Sequence, residues 1–192
     1  MAITKINGGI TAPKGFLASG LNAGIKNQTK KDMAMIVSEV PAKIAGTFTK
    51  NIVKAAPVLW GKKIVEEQEA VRAVVVNTGI ANACTGAQGY ENVVTEAKEV
   101  AALLDIKPEE VVVGSTGVIG QKLPMDVIKE GIKKLVPELK ADRQSEEDAS
   151  LAILTTDTKP KEAAVEVEIA GKTVTIAGMC KGSGMIHPNM GT

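Results

Sequence analysis

The apolar positions of this chain fall in short runs separated by Gly, Asn, Thr and Pro, a pattern that predicts strands with helices between them. Residues 15–24 read as a strand and a turn. Residues 33–40 read as a buried strand ended by Pro41, and residues 42–50, with Ile44, Thr47, Phe48 and Thr49, as another strand. Residues 51–59 predict a short helix stopped near Pro57. The β-branched run Ala73-Val74-Val75-Val76 has the unbroken apolarity of a central strand covered on both faces. Residues 77–89 are polar and glycine-bearing, so a long loop is predicted.

A helix is predicted over 92–104, where Val93, Val94, Ala97, Val100, Ala101 and Leu104 recur at helical spacing ahead of Pro108. Val111-Val112-Val113 is a second buried strand running straight into Gly114-Ser115-Thr116-Gly117-Val118-Ile119-Gly120. Pro124 opens a helix with Val127, Ile128, Ile132, Leu135 and Leu139 on its apolar face. Residues 140–148 read as a charged, solvated linker, with Ser145 and Asp148 as a capping-box-like start for a short helix through Ile153. Residues 155–158 form a polar loop. The clearest signal is a hairpin: Val165, Val167 and Ile169 alternate with glutamates, and a turn at Ala170-Gly171-Lys172 returns through Val174 and Ile176.

The chain has 192 residues, 44% hydrophobic and 23% charged, which suits one core and excludes disorder as the main state. Residues 1–192 read as a single region. No apolar run approaches the roughly 20 residues of a spanning helix. Aromatics at 2% are too few for base stacking, and a net charge of +1 offers little to a polyanion, so neither nucleic acid nor a membrane is an expected partner. Val, Ile, Leu, Ala and Met must fill the core, with 19 glycines allowing close backbone approach. That favours an α/β protein, an α+β layered sandwich with mixed sheets. Met1 to Ile6 has neither the apolar core nor the cleavage site of a secretory signal, so a cytoplasmic location is expected. Cys84 and Cys180 are then expected as free thiols. With His187 the lone histidine, no metal site is expected.

Several stretches are candidates for chemistry. Gly114 to Gly120 leaves a buried strand toward a helix, the layout of a phosphate cradle. It lacks the Gly-Lys-Ser/Thr ending of a P-loop and an acidic residue at the Rossmann distance. The other readings are a plain turn, or an oxyanion hole in which a backbone N–H and a Thr hydroxyl aim at one oxygen. Cys180 and His187 invite a thiol-nucleophile reading, but no third group orients the histidine, and Cys180 reads better as a small buried hydrophobe. Lys181-Gly182-Ser183-Gly184 offers exposed N–H groups and a lysine to a carboxylate or phosphate, or is a solvated turn. Asp157 can bond its own loop as an Asx-turn; Glu66, Glu67 and Glu69 read as a solvated face. The segment through Asn189-Met190-Gly191-Thr192 has no cap or polar tail, so further sequence is expected to follow. The Thr192 hydroxyl can attack the unhindered carbonyl of Gly191. The cleaved threonine would carry a free α-amine, with a pKa of about 7.7–8.0, as base for its own hydroxyl.

Taken together, five stretches resemble a known family: Asn77-Thr78-Gly79-Ile80-Ala81-Asn82-Ala83-Cys84-Thr85-Gly86, Ser115 to Gly120, Leu123-Pro124-Met125, Thr155-Thr156-Asp157-Thr158, and Lys181-Gly182-Ser183-Gly184-Met185-Ile186 through Thr192. Their order and spacing are similar to those of ornithine acetyltransferase, also called glutamate N-acetyltransferase, of arginine biosynthesis. The resemblance implies a precursor that cuts itself before a threonine. This chain would be the α-chain half of a self-cleaved αβ unit, completed by a β chain and assembling as α2β2. It implies cleavage between Gly191 and Thr192, where family members commonly carry Ala before the Thr. It implies Thr116 and Gly117 as the oxyanion hole, Thr155, Lys181 and Thr192 as substrate contacts, and Thr192 as the nucleophile. The reaction would be a ping-pong transfer of acetyl from N2-acetylornithine to glutamate without a cofactor, with acetyl-CoA left open as a further donor. The alternatives are a related self-processing amidase or aminopeptidase, and a non-catalytic interaction domain whose Gly/Thr loops are only turns.

Overall fold

The computed structural model describes residues 2–26, 29–67 and 70–185. Among these residues two sheets organise the fold. A three-stranded antiparallel sheet pairs β1 (Ile3–Ile6) with the hairpin of β6 (Glu162–Ile169) and β7 (Lys172–Met179), with β6 in the middle. A mixed sheet holds, in spatial order, β2 (Phe16–Leu21), β3 (Met33–Ala42), β4 (Val71–Asn77) and β5 (Val111–Ser115). The first three of these are antiparallel neighbours, whereas β4 and β5 run parallel. A parallel pair needs a long crossover, and α2 (Gly86–Leu104) supplies it. Helix α1 (Ala56–Glu67) precedes β4, and α3 (Met125–Leu135) and α4 (Arg143–Ala152) follow β5.

Side chains alternate across a strand, and β3 uses both faces. Met33, Met35 and Val37 join Ile64 of α1, Val93 and Val100 of α2, and Ile128, Ile132 and Leu135 of α3 in the larger core. Ala34 faces the other way and packs with Ala18, Ala149 and Ala152 beneath α4. Small residues let α4 lie on the backbone of β2: a Cβ on Gly20 would come 2.2 Å from the Asp148 carbonyl oxygen. Trp60 is buried, donates its ring N–H to the Val111 carbonyl at 2.9 Å, and meets the Tyr90 ring edge-on at 6.2 Å.

The layered α/β expectation agrees with this architecture, and so does the hairpin. Its turn has φ of 51° at Ala170 and 74° at Gly171, the two positive values that a type I′ turn requires. Several boundaries differ. Strand β3 continues through Pro41, because the register with β4 shifts between Val37 and Ala42 and no ladder bond is asked of the missing proline N–H. The strand expected over 42–50 is absent: residues 43–48 form no regular element. The Phe48 ring instead packs over two glycines, with a Cβ on Gly46 falling 3.2 Å from it and one on Gly61 3.5 Å. Pro57 begins α1 rather than ending a helix, since the first turn needs no N–H from it. Helix α2 starts at Gly86, earlier than its apolar stripe, because Asn82 donates to the Gly89 carbonyl at 2.8 Å and anchors the first turn to the preceding loop. The expected linker over 140–148 is largely helix. Asp142 caps α4 by accepting the Ser145 N–H at 2.8 Å. Glu146 is buried there, accepting from the Thr11 hydroxyl at 2.8 Å and from Arg143 at 2.7 Å. Arg143 also pairs with Glu162, so the N-terminal loop, α4 and β6 are joined through charge.

Candidate active site

The parallel strands β4 and β5 end side by side, and the loops that leave their C-terminal ends stay paired. The Thr116 N–H donates to the Asn77 carbonyl at 3.0 Å, Val118 to Gly79 at 3.1 Å, Ala81 to Val118 at 2.9 Å and Gly120 to Ala83 at 3.0 Å. The polar residues of the first loop brace it from within. Asn77 donates to the Ile80 carbonyl at 2.8 Å, the Asn82 N–H to the Ser115 hydroxyl at 2.8 Å, and the Thr85 hydroxyl to Asn82 at 2.6 Å. The rich Asn/Thr/Gly composition of residues 77–86 is therefore scaffolding for the second loop.

This pairing decides which donors remain at the end of β5. The Thr116 amide is taken by Asn77. Among the described residues neither the Thr116 hydroxyl nor the Gly117 N–H has a recorded acceptor. Gly117 has φ of +136°, and a Cβ there would come 2.3 Å from the Gly79 carbonyl carbon, so only glycine lets the two loops touch. A hydroxyl and an adjacent amide left open at a strand end are the two donors an oxyanion hole needs.

Two further loops close the cavity. Asp157 accepts from the Lys161 ammonium and from the Gly182 N–H, both at 2.6 Å, and so fastens the loop after α4 to the loop after β7. These contacts, the lysine first, lower the Asp157 pKa to about 2. On the opposite side, the buried carboxylate of Asp32 accepts three consecutive N–H groups, from Ala23 at 2.6 Å, Gly24 at 3.1 Å and Ile25 at 2.7 Å. The Asp32 carbonyl also accepts the Thr78 N–H at 2.8 Å. One residue thus fixes both the 23–25 loop and the start of the loop after β4.

Thr116, Gly117, Thr155 and Lys181, separated widely in sequence, line one cavity of about 430 Å³ together with Lys26 and Asp32. The Lys181 ammonium contacts the Gly182 carbonyl at 3.2 Å, and no ion pair is recorded for it among the described residues. His187, Gly191 and Thr192 lie outside the described residues, so the Cys180–His187 pair and the Gly191–Thr192 bond have no geometry to report. Cys180 is an exposed free thiol and not the buried hydrophobe expected, because β7 is an edge strand and its end is open; Cys84 is also free and exposed. Of Glu66, Glu67 and Glu69, the first two are exposed and lie within ion-pair range of Lys62 and Lys63 one turn earlier, and Glu69 lies outside the described residues. Among the described residues no group of three or more His, Cys, Asp or Glu is arranged to hold a metal ion, and no helix is long and apolar enough to cross a membrane. Lys26 and Asp32 gave no signal in sequence, since a lone lysine and a lone aspartate between strands look like ordinary surface residues.

The chain resembles known proteins in sequence and in fold. The sequence model of the ArgJ family matches residues 17–192. The arginine biosynthesis bifunctional protein ArgJ of Streptococcus mutans is 50% identical over 187 residues, covering 97% of this chain and 46% of that protein. The crystal structure of the arginine biosynthesis bifunctional protein ArgJ of Bacillus halodurans superposes with a TM-score of 0.93 at 43% identity, over 98% of both chains. The structure of an ornithine acetyltransferase of Mycobacterium tuberculosis in complex with ornithine gives a TM-score of 0.89 at 39% identity, over 98% of this chain and 100% of that one. The chain spans less than half the length of the curated relatives it matches. With residues of four of its five motifs on one cavity and its family match running over residues 17–192, the chain belongs to the ArgJ family.

Proposed function

We propose that this chain is the α part of an acetyltransferase that moves an acetyl group from N2-acetylornithine to glutamate. The observation that carries the proposal is the convergence of Thr116, Gly117, Thr155 and Lys181 on one cavity. The ornithine bound to the M. tuberculosis neighbour and the names of the relatives support the substrate class.

In this reading the precursor cuts itself between Gly191 and Thr192, and Thr192 becomes the first residue of a β chain. Its α-amine takes the proton of its own hydroxyl as the oxygen attacks the acetyl carbonyl of N2-acetylornithine. The C–N bond breaks, the proton goes to the departing ornithine amine, and an acetyl ester remains on the threonine. The glutamate amine then attacks that ester, the C–O bond breaks and the hydroxyl is restored. Splitting one amide-to-amide transfer into two steps is the advantage of covalent catalysis. The Thr116 hydroxyl and the Gly117 N–H would hold the oxyanion in both steps, with Lys181 on the α-carboxylate shared by both substrates and Thr155 beside it. The reaction needs no cofactor; acetyl-CoA is a further donor compatible with the same ester. The α and β chains would assemble as α2β2 in the cytoplasm.

Intact mass of the complete protein tests this reading. Two fragments meeting at Gly191/Thr192, the second heavier by one acetyl group after incubation with N2-acetylornithine, are expected. A folded, uncut chain that takes up no acetyl group would remove Thr192 from the mechanism.

A further inference from the structure

We propose that Lys26 selects the acceptor in this cavity, its ammonium taking the side-chain carboxylate of glutamate. The inference rests on the acetyl-transfer reading and goes beyond it by assigning the group that tells the two substrates apart. A ping-pong enzyme takes both through one site. N2-acetylornithine and glutamate share an α-carboxylate, but the tail of the first ends in an ammonium and the tail of the second in a carboxylate. A cation set apart from the shared carboxylate contact favours the second and repels the first, so selectivity comes from repulsion as well as attraction.

The charged groups on the cavity wall leave few candidates. Lys181 is assigned to the shared carboxylate. Lys31 is committed elsewhere: its ammonium pairs with Asp148 at 2.9 Å and donates to the Gly20 carbonyl at 3.2 Å. The Asp32 carboxylate is occupied by three N–H groups and does not neutralise a neighbouring lysine by direct pairing. Lys26 lines the cavity, and no ion pair or hydrogen bond of its ammonium is recorded among the described residues. Lys30 lines the same cavity and adds charge of the same sign.

Lys26 is also held, where most exposed lysines are not. The residue before it, Ile25, donates its N–H to Asp32 at 2.7 Å. Its stem lies on Gly79: a Cβ there would meet the Lys26 Cβ at 2.9 Å and its Cδ at 3.8 Å. Gly79 in turn carries the Gly117 loop, through its carbonyl bond to Val118 and the absence of a side chain between the two glycines. The lysine stem is therefore one backbone layer from the proposed oxyanion donors. A stem ordered in advance loses less freedom when a ligand binds.

The test uses the complete protein, with titration calorimetry of glutamate and glutarate and KM values for glutamate and N2-acetylornithine. Lys26→Met is expected to weaken binding of both dicarboxylates about tenfold and to raise the KM for glutamate about tenfold more than that for N2-acetylornithine, the effect of one charge-assisted contact. Lys26→Arg is expected to keep most of the wild-type preference, which a purely structural role of the lysine would not require. Equal glutamate affinity in wild type and Lys26→Met, a parallel rise in both KM values, or no dicarboxylate binding by the wild type would each overturn the assignment. Lys26-dependent dicarboxylate binding by a protein that transfers no acetyl group would keep the subsite and sink the acetyltransferase reading.

Discussion

Asp157 grips Gly182: a carboxylate oxygen accepts the glycine N–H at 2.6 Å, and a Cβ on Gly182 would lie 2.5 Å from that same oxygen. The contact joins the loop of Thr155 to the loop of Lys181, so it sets the distance between two residues assigned to substrate. Asp157→Asn is expected to raise KM for both substrates about three- to tenfold, the net worth of one ordinary hydrogen bond, with kcat little changed. Unchanged KM values for both would show that Lys181 is placed by something else.

The same contact has a pH signature. The Lys161 ammonium and the Gly182 N–H lower the Asp157 pKa from 3.8 to about 2. A lowered folded pKa means that the stabilisation is complete above the unfolded value and is lost as pH falls through the folded one. The Gly182 amide resonance is expected to move with a midpoint near the lower value; a midpoint at 3.8 would mean that the carboxylate is free.

Thr116→Ala is expected to lower kcat about a hundred- to a thousandfold, the usual loss of one oxyanion donor. The hydrogen bond from its N–H to the Asn77 carbonyl survives the change, and its hydroxyl has no acceptor among the described residues, so Tm should stay near that of the wild type. Full activity in Thr116→Ala would reduce the loop to a turn.

Asp32→Ala leaves three N–H groups at residues 23–25 without their acceptor. The expected cost is ~1–3 kcal/mol in urea unfolding, the cost of one buried donor left unmatched, since Ile25 is buried whereas Gly24 reaches water. Trypsin should cut after Lys26 faster in this variant than in the wild type. Unaltered cleavage and stability together would mean that the loop holds its shape without the carboxylate.

What could be read in the chain follows the range of the interactions concerned. The turn at Ala170-Gly171 and the strand at Val111-Val112-Val113 were legible because local chemistry decides them. The Gly114–Gly120 loop and Lys181 offered oxyanion and carboxylate readings among others, but the joint assignment of Thr116, Gly117, Thr155 and Lys181 was legible only as a resemblance, since nothing in their spacing says that four distant stretches share a cavity. Pro57 was misread because a proline is equally at home where a helix begins and just after it ends. Phe48 lay in an expected strand, but the glycines beneath it, Gly46 and Gly61, give the ring a better seat than a ladder would. Asp32, Asp142 and Glu146 act through main-chain donors or buried charge partners that no one-dimensional pattern exposes.

Glu96 lies on α2 between the apolar positions Val93 and Ala97. It is fully buried, and neither carboxylate oxygen has a hydrogen-bond partner among the described residues. Burial pushes its pKa from 4.5 to about 8. The folded chain therefore keeps a proton that the unfolded chain releases, and stability falls as pH rises from 4.5 to about 8, then levels. Glu96→Gln is expected to flatten this slope, with a gain on the order of a few kcal/mol at the alkaline end. Urea midpoints measured across the window check it; a wild type with no such slope would place a hydrogen-bond donor or water beside the Glu96 carboxylate.

The hydrogen bonds that carry the β4–β5 pairing past the strand ends also set a lifetime. Val118 and Gly120 donate into the neighbouring loop as Val113 and Gly114 pair within the sheet. A loop stitched in this way belongs to the same cooperative opening unit as the strands it extends, rather than fraying by itself. The Val118 and Gly120 amides should exchange with deuterium at the slow pace of the sheet interior, whereas the open Gly117 amide should exchange fast. A substitution that loosens this wall must loosen the sheet, so durability of the fold and readiness of the wall are inherited together.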